Sequence, residues 1–299
     1  MGQKEVFEEG EESFKEMMQL EISAKQIQRV SEHYGQQIDR LVQKNCSAVI
    51  PKLETKQSNE VTYVMLDGSM IMTREKKEPW KEMKLGRVFH ASQIIDIQKT
   101  RKQVYKGIYV SHLGSVDEFF PKFEYHLTDY ENKVIIADGA KWIWNWAESN
   151  YPGSVQILDF YHAKDKLINF ARHQFKQEEK REKWQEEQIA LLHDDNVLQV
   201  TQNVNQLRPR STEASKAKQT LITYYIEHED RMQYKSFKEK GLLIGSGPIE
   251  AAHRSVIQQR LKLSGQRWSI PGAQAIANLR TLKKSDAWKA VVNLIRKAA

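Results

Sequence analysis

With 299 residues, 40% of them apolar, the chain can bury a sizeable core, which excludes disordered and collagen-like classes. No apolar run approaches the roughly 18 residues that a membrane-spanning helix needs, and the N-terminal MGQKEVFEEGEE is too acidic for a secretory signal, so the expected location is the cytoplasm. The net charge of +7 is unevenly spread: residues 251–299 hold ten basic residues against the single acid Asp286, a balance of +9 that suits either a polyanionic partner or a solvated basic face. Cys46, the only cysteine, has no internal disulfide partner and reads as a small buried hydrophobe.

In chain order, residues 1–55 are expected to form a helical segment. Phe14, Met17, Met18 and Leu20, then Ile27, Val30 and Tyr34, recur at helical spacing, and Ser23 is placed to cap the second of two helices. From residue 60 the period changes. VTYVMLDGSMIMT, MKLGRVFHASQI and KQVYKGIYVSHLG alternate and are rich in β-branched and aromatic residues, so they are predicted as three strands of a meander. SVDEFFPKFEYHL then has helical character interrupted at Pro121. VIIAD and SVQILDF are predicted strands, each followed by a helix, in GAKWIWNWAESN and HAKDKLINFARHQF. The β-α-β-α order predicts parallel strands covered on both faces, which explains their continuous apolar character. A mixed α/β core is therefore expected to begin over 56–175. Residues 176–240 lose strand character and are predicted as an all-helical insertion, and 241–299 as the rest of the core with a basic tail.

Two aspartates mark apolar strands, Asp67 in VMLDGSM and Asp138 in VIIADGA. Asp-Gly is a common turn pair, and Asp138 can also cap the helix that follows. A hairpin at Asp67-Gly68 is disfavoured because SMIMT continues in strand fashion. Asp67 is thus expected mid-strand, where a carboxylate needs a cationic neighbour. Asp138 is expected at the carboxyl end of a strand, the edge where open α/β sheets build their sites. If the two strands are neighbours, like charges converge, and a proton or a metal must neutralise them. Oxygen ligands without a cysteine or histidine cage favour Mg2+ or Mn2+, and two such ions about 3.5–4 Å apart suit phosphodiester displacement. Glu250 in GSGPIEAAHR is the candidate third acid; it also reads as a helix-start acid or an i,i+4 partner of Arg254. Glu227, Glu229 and Asp230 in YYIEHEDRMQY are read as a solvated face.

Taken together, VMLDGSM with PWKEMKLGRVF, VIIADGAKWIW, ILDFYHAKDKL and GSGPIEAAHRSVIQQRLKLSGQRWS resemble the DDE-type transposases of bacterial insertion sequences, within them the ISKra-type group, over residues 60–290. The resemblance implies a ribonuclease H-like mixed five-stranded sheet with flanking helices and an all-helical insertion before the last acid. By motif, Asp67, Asp138 and Glu250 fall on a triad that binds two divalent metal ions, Mg2+ or Mn2+. ILDFYHA resembles a D-x-x-H element, which gives Asp159 and His162 an accessory role.

The implied activity is metal-dependent cleavage and strand transfer of insertion-sequence ends, by a homodimer acting on terminal inverted repeats and target DNA in the nucleoid-associated cytoplasm. In KLSGQRW, Lys262, Ser264, Gln266 and Arg267 mix charge with short donors suited to phosphate, and Trp268 either stacks on an unpaired base or packs in the core. Lys84, Arg254 and Arg260 complete the expected DNA contacts. Such transposases carry a substantial N-terminal DNA-recognition region, whereas about 55 residues precede the first strand here, so a shortened copy is expected. Two other readings stay open: a resolvase-like, structure-selective nuclease on the same core, and an inactive DNA-binding remnant.

Overall fold

A computed structural model of the chain describes residues 1–44, 49, 52–54, 59–98 and 101–298; Cys46 lies outside them. Helices α1 (Phe7–Met18) and α2 (Ala24–Lys44) come first, followed by strands β1 (Thr62–Met72), β2 (Trp80–His90), β3 (Ile94–Gln98), β4 (Arg101–Val104) and β5 (Ile108–Leu113). Helix α3 (Val116–Glu124) leads to β6 (Lys133–Ala137), α4 (Lys141–Asn150), β7 (Val155–Leu158) and α5 (Phe160–Gln174). Residues 178–239 are helical, as α6 (Glu178–His193), α7 (Val197–Gln206), α8 (Thr212–Glu227) and α9 (Tyr234–Glu239) with a 3-10 turn before α9. Then α10 (Gly247–Ala252) runs through a π turn at His253–Gln258 into α11 (Gln259–Leu261), and α12 (Ile270–Lys284) and α13 (Lys289–Ala298) follow. Among the described residues no helix is long and apolar enough to cross a membrane.

Five strands form a mixed sheet in the order β5-β2-β1-β6-β7, antiparallel for β1-β2 and β2-β5 and parallel for β6-β7. With helices flanking it, this α/β arrangement is compatible with a ribonuclease H-like fold. The predicted third strand, KQVYKGIYVSHLG, is two elements. Its first part, β4, pairs with β3 in a separate two-stranded hairpin, and only β5 joins β2. The break falls at 105–107, where Tyr105 is exposed while every residue of β5 is buried, so the two halves answer to different partners.

By internal contacts the chain divides into two compact units, Met1–Lys133 with Gly247–Ala299, and Val134–Ser246. In the first, α12 packs against α2 and β5 and is buried from Gly272 to Leu282. Its side chains also occupy the edge of β5: Leu113 N donates to Gln274 Oε1 at 2.7 Å, Gln274 Nε2 donates to Ser111 O at 3.2 Å, and Tyr109 N donates to Ser285 Oγ at 2.9 Å. Those bonds satisfy strand groups that would otherwise offer an open edge. The crossing of α2 over α12 depends on Gly35, because a Cβ there would overlap the Ala275 carbonyl.

Ser23 caps α2 as predicted, in a reciprocal pair: Gln26 N donates to Ser23 Oγ at 3.3 Å and Ser23 N to Gln26 Oε1 at 3.1 Å. The apolar face expected from the helical spacing is narrower than its pattern. Ile27 is buried, but Met17, Met18, Leu20 and Val30 are exposed, because α2 turns Ile27, Gly35 and Ile38 inward.

In the second unit, Val134–Ala137 and Ile157–Leu158 are buried, with Ile143, Trp144, Trp146 and Ala147 of α4. Tyr225 of α8 donates to the Ala163 carbonyl of α5 at 2.9 Å, tying the helical region to the strand-helix pair.

Candidate functional site

The first unit carries Asp67 and Glu250. Asp67 lies within β1, opposite Leu85 of β2, so the mid-strand expectation holds and the Asp-Gly pair makes no turn. Its Oδ1 accepts from Gly68 N at 2.7 Å, and its Oδ2 lies 3.3 Å from His253 Nε2. His253 opens the π turn after α10, three residues beyond Glu250, and α10 packs on β1 and β2. Arg87 anchors that helix by donating to the Pro248 carbonyl at 2.8 Å. Burial holds the His253 imidazole below its usual range; Lys262 pushes the same way and Asp67 opposes. One charge that the sequence does not reveal, Glu82, stands beside Asp67. Glu82 occupies the space that Gly68 leaves, and its carboxylate takes Lys84 Nζ at 2.8 Å.

In the second unit, Asp138 and Asp159 leave the carboxyl ends of the paired strands β6 and β7. The register matches Ala137 to Leu158, and Asp159 N donates to Ala137 O at 2.8 Å. Asp138 turns the chain toward α4: its Oδ1 accepts from Ala140 N at 2.9 Å and its carbonyl accepts from Trp144 Nε1 at 2.6 Å. The side chain stabilises the turn at the sheet edge, and it borders an open cleft of about 620 Å³ that His162, Lys141, Lys166, Tyr224 and Glu227 also line.

Fully buried Asp159 caps α5. It accepts from His162 N at 2.7 Å and from Ser246 N, and it sits 3.2 Å from His162 Nδ1. Burial raises its pKa, but the hydrogen bonds from His162 and Ser246 outweigh that and leave it below the usual carboxylate range. This carboxylate and imidazole are donors that could hold a metal ion. The hydroxyl of Tyr224 is pushed well above its ordinary value, first by burial and then by Asp138 and Asp159. Its ring lies where a Cβ on residue 139 would be, so only glycine fits after Asp138. Lys166 Nζ is 4.4 Å from the centre of that ring. Glu227, expected on a solvated face, is exposed but borders the cleft. Helical spacing carries the missed signal: Lys166 follows His162 by one turn, and Glu227 follows Tyr224.

Two of the predicted DNA contacts, Lys84 and Arg260, are corrected, and of the two readings of Trp268 the core one holds. Lys84 is buried, held by Glu82 and by the Gly114 carbonyl at 2.7 Å. Arg260 is buried between the rings of Phe7 and Trp268. Trp268 is buried too, with Nε1 donating to the Leu261 carbonyl at 3.2 Å, so it packs in the core and no base can stack on it. Lys84 is held by the Gly114 carbonyl and Arg260 and Trp268 by Phe7, contacts across the fold that a motif does not reveal. Arg254, Lys262, Ser264 and Arg267 are exposed and Gln266 is half-buried. Lys262 Nζ donates to Ser69 Oγ at 2.9 Å, two residues from Asp67 on β1. A scan of protein-family models and a search of curated proteins each return no match to the chain.

Proposed function

We propose that the chain is a DDE-type transposase that cleaves and joins insertion-sequence DNA, with Asp67, Asp138 and Glu250 as its metal-binding carboxylates. The observation that carries this reading is Asp138, a carboxylate at the carboxyl end of a parallel strand on the rim of an open cleft, with Lys141 and Lys166 beside it. The donor set fits the metal. All three are hard oxygen ligands suited to Mg2+ or Mn2+, and Asp138 borders open space while one of its oxygens serves Ala140. Held by these carboxylates, two such ions would supply Lewis-acid stabilisation to phosphodiester displacement.

The chain's own groups hold and orient the DNA. Lys141 and Lys166 meet phosphate charge in the cleft, and Arg254, Lys262, Ser264 and Arg267 supply surface contacts to the backbone. Tyr224 is a neutral phenol at physiological pH, as any tyrosine is, and can donate a hydrogen bond in the cleft without adding charge. Asp159 fixes the tautomer and position of His162, an accessory pair. Helices α6–α9 are the insertion that precedes Glu250. The protein acts as a homodimer in the cytoplasm on terminal repeats and target DNA.

Asp138→Asn tests the reading. It abolishes Mg2+-dependent strand cleavage while DNA affinity stays within about twofold, since the change leaves the phosphate contacts in place. Persisting cleavage overturns it. Cleavage without strand-transfer products identifies a resolvase-like nuclease instead, and salt-sensitive binding with no nicking under any divalent ion identifies an inactive remnant.

A further inference from the structure

In the first unit a small cleft of about 220 Å³ lies among α1, α2 and the segment before α12. Arg260 lines it and is 1% exposed. Its Nε donates to the Gly2 carbonyl at 3.0 Å, and its guanidinium lies 4.6 Å from the Phe7 ring centre and 4.9 Å from that of Trp268. Both terminal nitrogens, Nη1 and Nη2, reach no acceptor in the protein. Arg280, buried in the same unit, shows what a structural arginine does here. Its Nε donates to the Val256 carbonyl at 2.6 Å, and its Nη1 and Nη2 donate to the carbonyls of Gln3 and Ser255. A buried, charged donor left unpaired is costly, and aromatic faces compensate only part of that cost. Burial first, then nearby Arg280, lowers the Arg260 guanidinium to about 10, while Glu8 and Glu9 oppose the shift.

The rest of the cleft supplies the surroundings of an anion. A parallel bridge between Thr73 and Trp268, with Arg74 N donating to Trp268 O at 2.8 Å, sets exposed Arg74 and Arg267 side by side on its rim. Ser269, also in the lining, caps the N-terminus of α12, whose first turn holds no acid. Buried Gln266 Oε1 has no donor, so the cleft offers an acceptor as well. Glu8 and Glu32 line the same cleft and leave three guanidiniums against two carboxylates, which favours an anion of low charge. At about 30 Å³ per water, the volume holds a phosphate group and a little solvent.

We propose that this cleft binds a protonated phosphate, two of its oxygens on Arg260 Nη1 and Nη2 and its hydroxyl on Gln266 Oε1. Arginine matches phosphate in this bidentate manner. A phosphodiester has no hydroxyl to give Gln266, so the ligand is inorganic phosphate or a terminal phosphomonoester. The site stands independently of the transposase reading.

Thermal melts of the full chain in sodium phosphate and in sodium chloride of equal ionic strength, at pH 6.5, test it. Phosphate at about ten times its Kd raises Tm by about 2–4 °C over chloride. The exposed pair Arg74→Ala with Arg267→Ala loses that rise, as does Gln266→Glu, which sets a carboxylate against the ligand, whereas Arg296→Ala, at an exposed position of α13, keeps it. An oligonucleotide with a 5′-phosphate binding about tenfold tighter than its 5′-hydroxyl twin, to the unaltered chain alone, assigns the group to a nucleic-acid end. Equal binding of the two, with the melt response intact, assigns it to free phosphate. If phosphate protects no better than chloride, or protects the double variant equally, Arg260 is a structural stacking residue only and the proposal fails.

Discussion

The same dipeptide, Asp-Gly, occurs once in each unit and does different work in each. At Asp67-Gly68 it sits inside an antiparallel strand, and the missing Cβ admits the flexible end of Glu82. At Asp138-Gly139 it ends a parallel strand, and the missing Cβ admits the rigid ring of Tyr224. The first carboxylate is held among neighbouring charges, with His253 at 3.3 Å. The second faces open space. Strand direction and position along the strand, rather than the motif, decide what each aspartate meets.

The largest effect expected is functional. Asp138→Asn and Asp67→Asn should each abolish metal-dependent cleavage; activity surviving either one would remove that residue from the triad and break the parallel between the two units. Acid unfolding comes next. Burial first, then Lys52 and Arg231 respectively, lower His126 in the first unit and His228 in the second to about 4. An unfolded histidine takes up its proton near 6.5, so unfolding binds protons between those values. Stability is therefore full above about pH 6.5 and declines as pH falls toward about 4, by up to about 3 kcal/mol for each ring. Urea titrations at pH 7 and pH 5 measure the loss, and His228→Asn should flatten the share of the second unit alone.

The two glycines give a smaller and more discriminating contrast. Gly139→Ala forces a buried ring to move and should cost about 1–3 kcal/mol by urea denaturation, whereas Gly68→Ala displaces only a carboxylate tip and should cost under about 1 kcal/mol. Equal costs would show that the two sites yield alike. The smallest change is Ser23→Ala, about 1 kcal/mol from loss of the capping pair on α2, read as a modest shift in the urea midpoint.

Much of the fold was legible because local rules carry it. Alternation placed β1 and β2, continuous apolar runs placed β6 and β7, and loss of strand character marked the helices over 178–239. The split of the third predicted strand is not legible in the sequence because both halves have β character and differ only in their partner. At the candidate sites, Asp67 and Asp138 took the strand positions expected of them, whereas Asp159, expected inside the strand SVQILDF, lies past the end of β7 as the cap of α5. Glu82, Tyr224 and Glu227 did not show themselves, since each reaches its neighbour across the fold rather than along the chain.

By itself, the sequence determined where strands and helices form and where acids meet strand ends, because periodicity and turn chemistry act over a few residues. The tertiary structure alone decided which cations are usable. Arg254 and Arg260 stand six positions apart in one basic stretch, yet the first is open to solvent and the second, between Phe7 and Trp268, can be reached only through a small cleft. Charge is written in the residue type, but its availability depends on what the folded chain stacks against it.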